Sequence, residues 1–265
     1  MVVTPSPLTL KLRHSGYLDE DDGAALDALC ARPRMVEAGI DVVREGDPPG
    51  PVHLIDDGFA CRYKTLPDGQ RQILGLLLPG DFCDLQSSTL RTLDHSIATL
   101  TPCAIVELPQ KTVDELTLAP TRIARAFWWG ALVDESIQRE WLANIGQRPA
   151  AKRLAHLFQE VLLRLHRVGR ADAHACECPF TLSDMSEMLG LTAVHVSRVL
   201  RELREARLIT LSQRRLDLPN PDRLRAFCDF DARYLHLSGG DAGELRWGAD
   251  GPDGTGRSRR HFVDP

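Results

Sequence analysis

Five side chains between positions 195 and 204 could do chemistry together: His195, Ser197, Arg198, Arg201 and Arg204. They alternate with Val196, Val199, Leu200 and Leu203, whose spacing of three and four predicts a helix with one buried stripe. The uncovered face is polar and cationic. Such a face can hydrogen-bond base edges in the major groove of DNA while its charge meets the phosphates. Arg198, near the helix start, can reach guanine O6 and N7 with two hydrogen bonds, and Ser197 can take a base edge or a phosphate.

The flanking residues must set that helix at an angle to a second one. Thr181 and Asp184 have the spacing of a capping box, so a short helix is expected from Leu182. Gly190 is the residue type that ends a helix left-handed, and Thr192 can cap the next. Residues 208–211 and 214–218 then read as two strands around Ser212 and Gln213, the wing of a winged helix. An ordinary amphipathic helix pair is the competing reading, but cap, glycine turn, second cap, basic face and wing fall here in order.

The run Val196-Ser197-Arg198-Val199-Leu200 after a glycine turn resembles the Crp-Fnr family of bacterial transcription regulators. The resemblance extends to Gly46-Asp47, Asp57-Gly58 and Pro79-Gly80-Asp81-Phe82, which recur in that order in the family's cyclic-nucleotide-binding roll. It implies an α+β fold: an N-terminal antiparallel β-roll, a long dimerisation helix and a C-terminal winged helix-turn-helix. It also implies DNA contacts from Thr181, Ser183, Thr192, Ala193, Val194, His195, Ser197, Arg198 and Arg201. The family's usual base-reading Glu falls at Val194 and a common Arg at Ala193, so an operator unlike the best-known ones is expected, with these positions limited to contacts such as that with a thymine methyl.

In cyclic-nucleotide-binding relatives a Gly-Glu pair and an Arg-Ser pair hold the ribose and the cyclic phosphate. Here the matching stretches read Cys83-Asp84-Leu85 and Asp94-His95-Ser96. Losing the Arg removes the fork that pairs with phosphate, so control by cyclic AMP is not expected. Gly80, Asp81, Cys83, Asp84, His95 and Ser96 could line a pocket for a different effector, or be surface residues of a decayed site.

The 265 residues have room for two domains. A net charge of -5 is the wrong sign for a nucleic-acid binder until it is divided: residues 1–146 carry -8, residues 147–235 carry +4. Only the second half should meet phosphate. Short apolar runs between residues 35 and 108, broken by Gly, Pro and Asp, imply an antiparallel barrel or roll. The acidic start of residues 19–30 predicts a lead-in helix. The expected layout is a roll with lead-in helix over 18–119, a dimerisation helix and hinge over 120–146, a winged helix-turn-helix over 147–235 and a flexible tail over 236–265. A cluster of arginines at 257–260 in that tail could touch DNA, although a solvated tail is the simpler reading.

After Pro120, Ile123, Ala126, Gly130, Val133, Ile137 and Asn144 fall at spacings of four and three over most of the stretch, with Glu140 breaking the pattern and Trp141 shifting it. This resembles the seam of a coiled-coil pair, so a homodimer is expected through Ile123, Ala126, Gly130, Val133, Ile137 and Trp141, with Trp128 and Trp129 on the roll. A helix buried within its own subunit is the alternative. Residues 144–149, holding Gly146 and Pro149, have the composition of a hinge. Beyond it, Leu154, Ala155, Phe158, Val161, Leu162 and Leu165 trace one apolar face for packing against the helix-turn-helix.

Seven cysteines without framework spacing fit free thiols and a cytoplasmic location, and the N-terminus lacks a signal-peptide layout. No cofactor is expected. The cysteines are too scattered for an iron-sulfur cluster, and His174, Cys176 and Cys178 lack an obvious fourth ligand for a metal. No phosphate loop, nucleophile elbow or HExxH helix suggests an enzyme. The expected partners are double-stranded DNA, a second copy of the chain and an unidentified small-molecule effector; RNA polymerase is a further candidate, and no membrane is implied. The rival reading is a small-ligand or thiol-redox sensor whose DNA binding is secondary, followed by a stand-alone ligand-binding or scaffold protein.

Overall fold

The computed structural model describes residues 4–237. It opens with a helix the sequence pattern did not suggest, α1 (Pro7–Arg13), capped by Ser6 with Pro at its first position. Helix α2 (Glu20–Leu29) follows with the acidic first turn anticipated above, closed by a reciprocal Asp19–Asp22 capping box.

Seven strands build the roll: β1 (Arg34–Val36), β2 (Asp41–Val43), β3 (Val52–Asp57), β4 (Ala60–Thr65), β5 (Arg71–Leu77), β6 (Ser96–Thr99) and β7 (Cys103–Leu108). They pair antiparallel in two sheets, ordered β1-β7-β3 and β2-β6-β4-β5. Val36, Val43, Ile55, Leu77, Ile97 and Ile105 fill the space between them. Pro67-Asp68-Gly69 turns the β4–β5 hairpin, with Gly69 at φ +85°.

Helix α3 (Gln110–Thr117) leads to α4 (Arg122–Gln147), 26 residues capped by Thr121. Here the structure redirects the expected interface residues, not the expectation of a dimer. Ile123, Ala126, Gly130, Val133, Ile137, Trp141 and Asn144 all face inward and are covered by their own subunit. Phe82 of the roll packs edge-on against Phe127 at 4.9 Å, and Leu8 and Leu12 of α1 cover Ile123 and Ala126. Gly130 faces Leu12 of α1, and a Cβ there would make an ordinary 3.5 Å contact with the Leu12 side chain. The physical reason is twofold: the unanticipated α1 covers the start of the seam, and Val133, Ile137 and Trp141 pack into the core shared with α5. Trp129 is half-buried against the core, but Trp128 is 69% exposed instead of lying on the roll.

Helix continues through Gly146, so the hinge narrows to Arg148 and Pro149, both extended, before α5 (Ala150–Arg167). Asn144 is a buried anchor and not a hinge residue, hydrogen-bonded to His156 Nδ1 at 3.0 Å. The C-terminal part adds β8 (Ala175–Glu177), α6 (Leu182–Leu189), α7 (Ala193–Glu205), β9 (Thr210–Ser212), β10 (Arg215–Asp217) and α8 (Pro221–Cys228), then a short 3-10 turn at Ala232–Leu235. The expected apolar face of α5 holds this unit together, with Leu154, Phe158, Val161 and Leu162 in one core with Val196, Val199, Leu203 and Leu216. The expected tail lies outside the described residues except for His236 and Leu237, and the arginine cluster at 257–260 lies outside them altogether.

Candidate nucleic-acid interface

Local chemistry builds the helix pair. Thr181 Oγ1 accepts from the Asp184 amide at 3.1 Å, and Asp184 Oδ2 accepts from the Thr181 amide at 2.8 Å. Helix α6 ends at Gly190, whose φ of 62° and ψ of 41° are the left-handed values a side chain resists. Two residues on, Thr192 Oγ1 accepts from the His195 amide at 3.2 Å and starts α7.

Val196, Val199, Leu200 and Leu203 of α7 are buried, while Ala193, Val194, Ser197, Arg198, Arg201 and Arg204 are exposed. Val194, 82% exposed, is an apolar side chain aimed at water. Arg198 and Arg201 form no ion pair with any described residue, so their donors are available to a ligand. Arg204 instead donates to the Leu211 carbonyl at 3.2 Å and braces the wing. Thr181 and Ser183 lie exposed at the start of α6, and His195 is half-buried.

The wing has three strands, ordered β8-β10-β9. Ser212 pairs with Arg215, leaving Gln213 and Arg214 as a two-residue turn at φ 48° and 61°. Two consecutive positive values make a type I′ turn, the hand that suits strand twist. Cys176 and Cys178, which sequence spacing set beside a metal-capable His174, fall on and just after β8 with both thiols buried, and burial pushes each up to about 12. All seven cysteines are buried free thiols.

The second expected site is only partly assembled. A groove of about 1190 Å³ runs between the roll and α4, and of the six expected effector residues Gly80 and His95 line it. Asp84 turns into the wall, where it accepts from the His53 amide and pairs with His53 Nδ1, both at 2.7 Å. Asp81 is committed to Lys11 at 2.7 Å, Arg164 at 2.5 Å and the Leu78 amide at 2.7 Å. Cys83 is buried, and Ser96 Oγ accepts from the Glu45 amide at 2.9 Å. Asp81, Asp84 and Ser96 are therefore parts of the scaffold, because neighbours distant in sequence consume their polar atoms, and Cys83 belongs to it through burial. His95 pairs with Asp94 through Nδ1 at 2.7 Å.

Sequence reasoning missed Arg62. Its Nε donates to the Cys83 carbonyl at 2.9 Å, and one terminal nitrogen donates to the Phe82 carbonyl at 2.6 Å and to Asp134 at 3.1 Å. Its partners are 20 to 72 residues away, so no local spacing signals the role.

Residues 33–119 match the family model for the cyclic nucleotide-binding domain, and residues 152–227 that for the Crp-like helix-turn-helix domain. The chain belongs to the Crp-Fnr family of transcription regulators. It is 28% identical over 193 residues to a probable transcriptional activator of Rhizobium leguminosarum bv. viciae, covering 72% of this chain and 79% of that one. It is 27% identical to the nitrogen fixation regulation protein FixK of Rhizobium meliloti, over 74% of this chain and 89% of the relative. The solved structure of FixK2 from Bradyrhizobium japonicum superposes with a TM-score of 0.66 at 23% identity, covering 73% of this chain and 94% of that chain. The DNA-binding part of the chain is the helix-turn-helix domain of residues 152–227, which contains α6 and α7.

Proposed function

We propose that this Crp-Fnr regulator acts in the cytoplasm as a homodimer that reads an imperfect palindrome, one α7 per half-site, without cyclic AMP. The observation that carries it is α7 itself: Arg198 and Arg201, exposed beside Ser197 and without ion pairs among the described residues, on a helix whose opposite face is fully buried. Arg198 and Ser197 read bases, Arg201 and the wing meet phosphate, and Thr181, Ser183, Thr192 and His195 position the backbone.

The dimer reading rests on the outer face of α4. Trp128, Leu132 and Leu142 are exposed there, Leu142 at 74%, with the Glu135–Arg139 pair between them. An outward row of large apolar residues on a long helix is a surface that calls for a partner. Independence from cyclic AMP is supported by the capture of Asp84 by His53 and of Arg62 by Asp134. The name transcriptional activator among the relatives favours an activating role, for which RNA polymerase is the partner proposed. The thiol-sensor alternative loses ground because every cysteine is buried and its thiol is pushed up, which suppresses the reactive thiolate.

Selection from random duplexes at moderate salt tests this reading. It should return palindromes with half-sites roughly 34 to 36 Å apart. Failure to enrich any duplex, or enrichment of single half-sites only, would overturn it. Titration calorimetry with cyclic AMP should be silent, and saturable micromolar heat would restore nucleotide control.

A further inference from the structure

The groove between roll and α4 holds cations whose counter-charge comes from within the chain. Arg62 is largely buried, with a side-chain exposure of 11%, and a guanidinium cannot escape burial by losing its proton. Its bonds to the Cys83 and Phe82 carbonyls orient it without neutralising it. Neutralisation falls to Asp134 of α4, whose Oδ2 is 3.1 Å from Arg62 and whose Oδ1 is 3.5 Å from Lys11 Nζ. One carboxylate bridging a cation of β4 and a cation of α1 is the arrangement of a bound anion. Asp81 shares Lys11 with Asp134, at 2.7 Å, but it is also engaged by Arg164 and the Leu78 amide and forms no ion pair with Arg62. Asp84 is engaged by His53, so the counter-charge of Arg62 rests on Asp134.

We infer that Asp134 is the resident occupant of an anion socket formed by Arg62 and Lys11, so that a free carboxylate or phosphate enters only in exchange for Asp134. A tethered group competes at an effective concentration on the order of millimolar or above, so weak anions are excluded while Asp134 is in place. The roll and α4 are thereby clamped together with no effector bound. The socket also reaches the DNA-reading half. Lys11 pairs with Asp81 at 2.7 Å, Asp81 with Arg164 of α5 at 2.5 Å, and Arg164 with Glu160 at 3.0 Å. Vacating the socket frees Lys11 to shift within this chain of charges, which couples the groove to α5; that consequence, unlike the socket itself, rests on the DNA-binding reading.

The test is chemical rescue of Asp134→Ala in the full-length protein. Thermal unfolding is followed by tryptophan fluorescence in sodium acetate, sodium phosphate and sodium chloride at equal ionic strength. The variant should melt below wild type and regain stability with acetate or phosphate over chloride, rising with the logarithm of anion concentration above its Kd. Wild type should melt alike in all three. Preference for acetate over phosphate, or the reverse, identifies the anion the socket fits. Where Asp134→Ala does not melt cooperatively in chloride, its refolding by acetate supports the socket, and Asp134→Ser is measured in the same way. An anion response no larger than that of wild type in both variants overturns the inference. Operator affinity of the variant should fall roughly tenfold and recover with acetate, the range of a coupling between sites. A wild-type protein that binds no operator, beside a variant that gains the acetate response, would sink the DNA reading and leave the socket standing.

Discussion

Arg164 of α5 and Asp81 of the roll meet at 2.5 Å in an almost closed site, and this pair fastens the DNA-reading half to the roll. Arg164 also donates to the Leu76 carbonyl at 3.2 Å and to Glu160 at 3.0 Å, and Glu160 accepts from Tyr234 at 2.8 Å. A buried charge so heavily bonded adds specificity of geometry more than net stability, but removing one member leaves the others uncompensated.

Asp81→Asn should therefore cost about 3 to 5 kcal/mol in urea unfolding at neutral pH. Burial by itself would raise the Asp81 carboxyl, but Lys11 and Arg164 bring it down to about 2, against 3.8 for the free side chain. A carboxylate lowered on folding stabilises above its unfolded value and loses that stabilisation as pH falls toward its folded one. The gap between wild type and Asp81→Asn should be constant from pH 7 to 5 and narrow by about 1 kcal/mol at pH 3. A gap that ignores pH would show that the carboxylate charge is immaterial.

Arg198→Ala should lose about 1 to 3 kcal/mol on the preferred operator and relax the choice at one base pair of each half-site. Arg201→Ala should weaken all sequences alike and lower the salt slope by about 1 per half-site. Fluorescence anisotropy at four salt concentrations, on matched and mismatched duplexes, separates the two. Identical effects of the two substitutions would contradict the roles given to them.

The two faces of α4 should respond in opposite ways. Trp128→Glu or Leu142→Glu, on the outer face, should yield a folded monomer in sedimentation velocity. Phe127→Ala, on the inner face, should cost about 3 to 5 kcal/mol of stability, as cavities in a packed core do. A Leu142→Glu protein that still sediments as a dimer would place the interface elsewhere.

The wing turn sets Gln213 and Arg214 in the left-handed region although neither is the residue type that favours it. Replacing the pair with Asn-Gly should stabilise the domain by roughly 1 kcal/mol. The same change should reduce DNA affinity through the loss of the Arg214 charge. Gain of stability without loss of affinity would remove Arg214 from the interface.

The helix-turn-helix was legible in the residues because its determinants act across three or four positions. Thr181 with Asp184, Gly190, and Thr192 with the His195 amide each close a hydrogen bond or a turn among near neighbours. The roll was legible in outline for the same reason, through the turns that separate short apolar runs. Periodicity also revealed the apolar seam of α4. What it could not say was which face has a neighbour, because that depends on α1, more than a hundred residues earlier, laying Leu8 and Leu12 over Ile123 and Ala126. The fates of Asp81 and Asp84 were hidden likewise: an acid in a glycine-rich turn reads the same whether it faces a ligand or an arginine. Arg164 lies 83 residues from Asp81, and Asp134 lies 72 from Arg62. Charge pairing at that separation is set by how the chain packs, so local sequence built the reading head, and only the tertiary structure decided what holds it and what fills the groove beside it.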